Sequence, residues 1–284
     1  MLGTAQWGAE YGITNRRGRL TDAELAAIVS VAQGSGITAV DTAAGYGDAQ
    51  LRLRQWSHQF AVRTKISGKD ATTIPEHVQA CLVELDLTRL DGCLLHDWDA
   101  LEAGPAARAA GELERTRTEG STAAVGVSVY DEDALKRALD AFESVDMVQV
   151  PANALDRRLD GSPVIEALSA HGTVIQVRSA FLQGLLTGPS DGPSGHHPDV
   201  QRFLTAATDA GQSPLAMALA HVRALPWASE IVVGVTSADE LQEVLRTWTS
   251  TPPGLAPERL ASDDIELIDP RLWGGRTGSV RMDP

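Results

Sequence analysis

Short apolar runs alternate with amphipathic segments along almost the whole chain. The runs predict strands over 1–6, 38–42, 60–66, 90–95, 123–127, 147–150, 173–178 and 231–235. Strands covered on both faces read as near-continuous apolar stretches, and Ala39-Val40 and Ile231-Val232-Val233 do so. Helical spacing falls between them, over 22–33, 48–56, 74–87, 106–119, 132–142 and 163–170, twice between about 198 and 223, and over 238–248. Thr21 before the first helix and Ser237 before the last supply the side-chain oxygens that cap orphan N–H groups. Eight strand-then-helix units predict a parallel sheet closed into a (β/α)8, or TIM, barrel. An open doubly wound sheet is the structural rival. No GxGxxG follows the first strand, and polar residues recur at the C-terminal ends of several strands, where barrel enzymes place their chemistry. Two stretches break the pattern. Residues 187–199, rich in Gly, Pro and Ser, predict a mobile loop, and 249–284 predict a C-terminal tail that folds over the barrel mouth.

Length and composition fit this picture. The 284 residues suit one barrel of about 250 residues plus a tail, so a single domain over 1–284 is expected. With 43% hydrophobic and 22% charged residues, disorder and disulfide-scaffold readings fall away. The net charge of −14 argues against nucleic acid or an anionic membrane surface as a partner. No apolar run is long enough to span a bilayer and no secretory signal leads the chain. Cys81 and Cys93, without CxxC spacing, read as reduced buried thiols, and a cytoplasmic location is expected. Nothing in the sequence sets an oligomeric state.

Only three residues are Lys and three are Tyr, which makes one of each at a barrel mouth conspicuous. Asp41, Lys65 and His96 close the second, third and fourth strands, and Tyr46 lies five residues beyond Asp41. In a barrel these four converge on one mouth and form an acid–base set. A phenol titrates near pH 10, so Tyr46 becomes a usable acid only if a cation such as Lys65 favours its phenolate; Asp41 would hold that cation. His96 can hydrogen-bond a substrate carbonyl. Each residue also has a plainer role: a helix cap for the Asp, a solvated Lys, a packing Tyr, a structurally satisfied His.

The chain resembles the aldo-keto reductases, in particular short bacterial members. The motifs that carry the resemblance are Leu-Gly-Thr-Ala-Gln-Trp-Gly at the start, Asp41-Thr42-Ala43 with Tyr46-Gly47, Thr64-Lys65, Leu95-His96, Gly126-Val127-Ser128, Gln149 with Asn153 and Arg157, and the run from Ser179 to Gly188. The resemblance implies carbonyl reduction of a small polar, sugar-like or secondary-metabolite aldehyde or ketone. It makes Tyr46 the general acid, Asp41 and Lys65 its partners, and His96 the orienting group. It also implies NADP(H), with NAD(H) as the alternative, bound without a Rossmann fold. Ser128 and Gln149 would then meet the nicotinamide carboxamide, and Ser179, Leu182, Gln183 and Gly184 the pyrophosphate. The adenosine end falls to Gly234, Thr236, Ser237 and Glu240.

Four positions depart from the family pattern. Arg178 stands where many members stack an aromatic ring on the nicotinamide, and its planar guanidinium is expected to stack on the cofactor instead; Val129 stands where many have Asn. Glu240 and Val244 replace the Arg and Asn that commonly hold the adenosine phosphate and adenine. A carboxylate repels a 2′-phosphate but accepts a ribose hydroxyl, whereas backbone N–H groups at the start of the Ser237 helix can still bind phosphate. These weak cofactor signals leave a non-redox barrel enzyme, a lyase, dehydratase or isomerase reusing the same four residues, as the alternative function. A binding protein that only senses nucleotide is a second alternative. Trp7, Tyr11, Trp98, Tyr130 and Trp273 are candidates to line a substrate pocket. His196-His197 lacks a spaced partner, so no metal site is expected.

Overall fold

The structure is a computed structural model that describes residues 1–191 and 194–273. Its parallel strands are β1 (Leu2–Gly3), β2 (Ala39–Asp41), β3 (Ala61–Ile66), β4 (Gly92–Leu95), β5 (Val125–Ser128), β6 (Met147–Pro151), β7 (Val174–Arg178), β8 (Glu230–Ile231) and β9 (Val233–Gly234). Each strand from β1 to β7 pairs with the next in sequence, and β9, which follows β8 after Val232, returns to β1. The sheet is therefore a closed barrel, the (β/α)8 fold that the alternation predicts. Helices fill the connections: α1 (Ala5–Gly8), α2 (Asp22–Gly34), α3 (Ala49–Leu53), α4 (Ile74–Leu85), α5 (Ala103–Thr118), α6 (Glu132–Ala141), α7 (Pro163–Ala170), α8 (Pro198–Asp209), α9 (Pro214–Arg223), α10 (Ala238–Ser250) and α11 (Ile265–Ile268). Thr21 and Glu24 form a reciprocal capping box at the start of α2.

Two strand boundaries differ from the sequence expectation. The first strand stops at Gly3 rather than residue 6, because Thr4 turns to bond the Asp41 carbonyl through both its N–H and its hydroxyl, at 3.0 Å each, and α1 follows. The eighth strand is divided: β8 pairs with β7, β9 pairs with β1, and the Val232 N–H between them still donates to Val177 at 2.8 Å. The closing strand must serve two neighbours that diverge with barrel twist, so it hands over midway.

One large apolar cluster joins the strands to the inner faces of α2 to α7. A second cluster lies under the tail, where Trp273, Leu267 and Leu260 pack on Leu155, Leu182 and Leu185. The Ser262 N–H donates to the Leu155 carbonyl at 2.9 Å, which ties the tail to the loop after β6. Residues 274–284 of the expected tail lie outside the described residues. No helix among the described residues is long and apolar enough to cross a membrane.

Candidate active site

β2, β3 and β4 end side by side and deliver Asp41, Lys65 and His96 to one mouth of the barrel. The Lys65 ammonium, 1% exposed, is 2.6 and 2.7 Å from the two oxygens of Asp41 and 3.0 Å from the Thr42 carbonyl. Its remaining direction points to the Tyr46 hydroxyl at 3.4 Å. The Tyr46 and His96 rings meet edge to face, centroids 5.7 Å apart. Tyr46 sits on a turn that presses against α1: the Gly47 backbone has φ +60° and a side chain there would come within 2.6 Å of the Gly8 carbonyl. Glycine is needed at 47 for both reasons, and the contact fixes where the phenol points. The loop after β4 is pinned by Asp97, which accepts from the Ser67 hydroxyl at 2.6 Å and the Gly68 N–H at 2.7 Å.

Burial and neighbours set the protonation states. Tyr46 is pushed above its usual range by burial and then by Asp41, so the phenol stays protonated at neutral pH. Arg178 pulls the phenol the other way, and the Lys65 ammonium, held by both carboxylate oxygens of Asp41, stays beside its hydroxyl. Burial also lowers the Lys65 ammonium, against the opposing pull of Asp41. His96 is held down to about 3, first by burial and then by Lys65 and Arg178, so its imidazole is neutral.

Ser128 and Gln149 face each other in register across β5 and β6. The Gln149 amide nitrogen donates to Asp41 at 2.7 Å and to Gln176 at 3.0 Å, which leaves its carbonyl oxygen to accept from a ligand. Beyond β7 the backbone is strained: Ser179, Leu182 and Gln183 are non-glycine residues with φ of 58°, 46° and 53°, followed by Gly184 at 97°. Two of the turn's N–H groups are spent inside it, that of Leu182 on the Ser179 carbonyl and that of Gly184 on the Phe181 carbonyl, both at 2.9 Å. The turn is braced by Asn153, whose side chain donates to the Ser179 carbonyl at 3.1 Å. Gln183 Oε1 is buried there without a partner. The unpartnered Gln183 Oε1 is an acceptor that suits a ribose hydroxyl, and the Gln149 carbonyl oxygen suits a carboxamide N–H, so the residues present fit a nicotinamide cofactor. The Leu182 side chain is fully buried in the second cluster and its N–H already donates to the Ser179 carbonyl, so the expected contact of Leu182 with the pyrophosphate is corrected.

The adenosine end is altered more deeply. Gly234 ends β9, and the Glu240 carboxylate accepts from the Thr236 N–H at 2.5 Å and its hydroxyl at 2.9 Å. Ser237 Oγ accepts from the Glu240 N–H at 3.1 Å. The chain's own side chains therefore occupy two of the N–H groups at this helix start, those of Thr236 and Glu240. Val244 packs with Leu215 and Leu219 instead of facing a base.

The candidate pocket aromatics divide. Trp98 is fully buried, donates from its indole to the Ala134 carbonyl of α6 at 3.0 Å and tilts against Phe142, so it packs the helix layer. Trp7 is also buried, edge to face with Trp56, with its indole nitrogen unpartnered. Tyr11 carries a phenol raised by burial and by its neighbours Tyr46 and Tyr130. Tyr130 lies between two guanidiniums, Arg178 at 3.9 Å and Arg271 at 3.5 Å from its ring centre. Arg271 was not a candidate from sequence; it arrives on the tail, held by Asp269 at 2.6 Å and 3.7 Å from Asp99. Trp273 is buried, its indole bonded to the Glu266 and Leu267 carbonyls. His197 caps α8 through the Asp199 N–H and faces Asp264 at 3.0 Å, and no metal-binding group occurs among the described residues.

The aldo/keto reductase family model matches residues 1–252. The chain belongs to the aldo-keto reductase family. As an aldo-keto reductase it is 25% identical over 182 residues to the NADH-specific methylglyoxal reductase of Escherichia coli (strain K12), covering 54% of this chain and 55% of that protein. It is 31% identical over 176 residues to an aldo-keto reductase of Mycobacterium marinum, covering 59% and 61%. The chain thus spans between 55% and 61% of the length of these curated relatives. The holo form of an aldo-keto reductase from Bacillus halodurans shares the fold, with a TM-score of 0.71, 17% identity, and coverage of 88% of this chain and 86% of that one.

Proposed function

We propose that this aldo-keto reductase reduces the carbonyl of a small polar aldehyde or ketone to an alcohol, with Tyr46 as the proton donor. The observation that carries the reading is the buried Lys65–Asp41 pair with its free direction on the Tyr46 hydroxyl and the neutral His96 ring against that phenol. A bound reduced nicotinamide supplies hydride to the carbonyl carbon. Neutral His96 donates one hydrogen bond to the carbonyl oxygen and orients it. Tyr46 gives its proton to that oxygen as negative charge develops there, and Lys65 meets the phenolate left behind. Asp41 keeps Lys65 charged and in place. Ser128 and Gln149 would hold the carboxamide, and Ser179, Gln183 and Gly184 the pyrophosphate.

NADH is the reductant we favour over NADPH. The Glu240 carboxylate occupies the position at which a 2′-phosphate is otherwise met by a cation, and it suits a ribose hydroxyl. The name of the Escherichia coli relative, NADH-specific, agrees with this choice.

Oxidation of NADH and NADPH, followed by absorbance with a panel of aldehydes and ketones, tests the reading. Turnover is expected, faster with NADH, and Tyr46→Phe should lower kcat by about 10²- to 10⁴-fold while leaving the NADH dissociation constant little changed. Failure of the intact chain to bind or oxidise either nucleotide overturns it.

A further inference from the structure

Arg178, the last residue of β7, is a half-buried cation whose charge the proposed proton transfer does not use. One nitrogen donates to the Val129 carbonyl at 3.2 Å and another reaches Ser179 Oγ at 3.5 Å. Among the described residues no carboxylate lies within ion-pair distance of it, although its neighbours are all matched: Lys65 by Asp41, and Arg271 by Asp269 and Asp99. With Tyr46 and His96 neutral, the three cations Lys65, Arg178 and Arg271 face the three carboxylates Asp41, Asp269 and Asp99, and Arg178 is the one of these cations with no carboxylate in direct contact among the described residues. Its orientation is fixed beforehand by the Tyr130 ring, itself backed by Arg271. A guanidinium held in place with N–H groups to spare is shaped for the two oxygens of a carboxylate. Its charge acts on both Tyr46 and His96, so it lies within electrostatic reach of the carbonyl those two would hold. Its ring and carbonyl partners, Tyr130 and Val129, draw it to the β5 side of the mouth, while its longer contact to Ser179 Oγ touches the first residue of the strained turn, which leaves substrate and cofactor to be separated by experiment.

We propose that Arg178 is the anion receptor for the substrate, so that the carbonyl compound reduced here carries a carboxylate beside its carbonyl, as a 2-oxo acid does. This rests on the reductase reading above. The balanced step takes hydride to the 2-carbon and a proton from Tyr46 to the oxygen; NADH is oxidised, the 2-oxo acid becomes a 2-hydroxy acid, and solvent restores the Tyr46 proton. The carboxylate is unchanged and serves only to fix the molecule.

Pyruvate and its methyl ester form the test pair. The intact protein should favour pyruvate in kcat/KM by about tenfold or more, the range of a charged hydrogen bond. Arg178→Gln should bring that ratio to about one, chiefly by raising KM for pyruvate, and Arg178→Lys should restore part of it. Preference of the intact protein for the ester, or an equal loss on both substrates in Arg178→Gln, overturns the proposal and assigns Arg178 to the cofactor or the fold. Calorimetric titration with oxamate, a non-reducible mimic of pyruvate, with and without NADH, reads the site without turnover. Binding is expected, weakened about tenfold or more by Arg178→Gln; no binding to the intact protein overturns the anion site. Absence of all turnover with oxamate still bound would instead remove the reductase reading and leave the anion site standing.

Discussion

Lys65 and Arg63 stand two residues apart on β3, so both point into the barrel, yet they hold opposite ends of it in different ways. At the lower end Arg63 is shared between two carboxylates, with Nε 2.7 Å from Asp91 and another nitrogen on Glu230. Asp91 and Glu230 are partly open to water, with side chains 38% and 27% exposed. At the upper end Lys65 has one carboxylate, almost fully buried, and a free direction that ends on a phenol. A hydrogen-bonded thread joins the two: Lys65 to Asp41, Asp41 to Gln149, Gln149 to Gln176, and Gln176 to Glu230 at 3.0 Å, which meets Arg63. The difference is one of saturation. The lower cluster spends its cation on structure, and the upper one keeps a donor direction in reserve for chemistry, which is the usual division between the two faces of such barrels.

The largest effect should come from breaking the upper pair. Lys65→Met leaves Asp41 charged, buried and supported only by Gln149 among its side-chain partners, and a loss of about 3–5 kcal/mol in chemical denaturation is expected. Asp41→Asn in the same chain removes the uncompensated charge and should recover most of that stability. Carbonyl reduction should remain lost in both, because the phenolate loses the ammonium in contact with its oxygen. A double variant as unstable as Lys65→Met alone would mean that the pair matters for packing and not for charge.

The lower end should answer more weakly and on a different readout. Arg63→Met sets Asp91 and Glu230 free, but water reaches both, so about 1–3 kcal/mol of stability should be lost. Its kcat for any carbonyl substrate should stay within about twofold, since the mutation touches neither the phenol nor its cation. A large fall in kcat at unchanged KM would show that the thread through Gln176 and Gln149 transmits the charge of Glu230 to Asp41, and the two ends would no longer be separable.

This contrast also explains what the chain made legible. Asp41, Lys65 and His96 stood out because strand order and strand ends place side chains at a known face, and that inference needs no side-chain detail. The thread was not legible: Gln149 and Gln176 meet only through the register of β6 with β7, which no local pattern specifies. Arg271 was missed because tail docking is a tertiary event and Arg is common in this sequence. Trp98 looked like a pocket residue from its place after β4, yet nearness to a strand end does not set side-chain direction, and its indole found the Ala134 carbonyl instead. Sequence shows which charges are present, while only geometry shows that Arg178 acts on Tyr46 as well.

The smallest effect separates the ends by pH. An unfolded chain takes a proton on His96 near pH 6.5, whereas the folded chain does so only near 3. Between those values the unfolded state binds more protons, so this group's share of stability is intact above about pH 6.5 and falls as the pH drops toward 3. No histidine belongs to the lower cluster of Arg63, Asp91 and Glu230, so the upper end alone carries this sensitivity. His221, held down to about 4 by burial, adds a loss of the same sign from its site beside the Ala256 N–H, and both proteins compared below retain it. Urea denaturation of the intact protein and of His96→Asn at pH 7 and pH 5 isolates the His96 share. The intact protein should lose about 1–2 kcal/mol more than the variant over that interval. Equal losses would mean that His96 gains a proton in the folded state, and a charged imidazole beside Lys65 would then have to be reconciled with a neutral donor to the carbonyl.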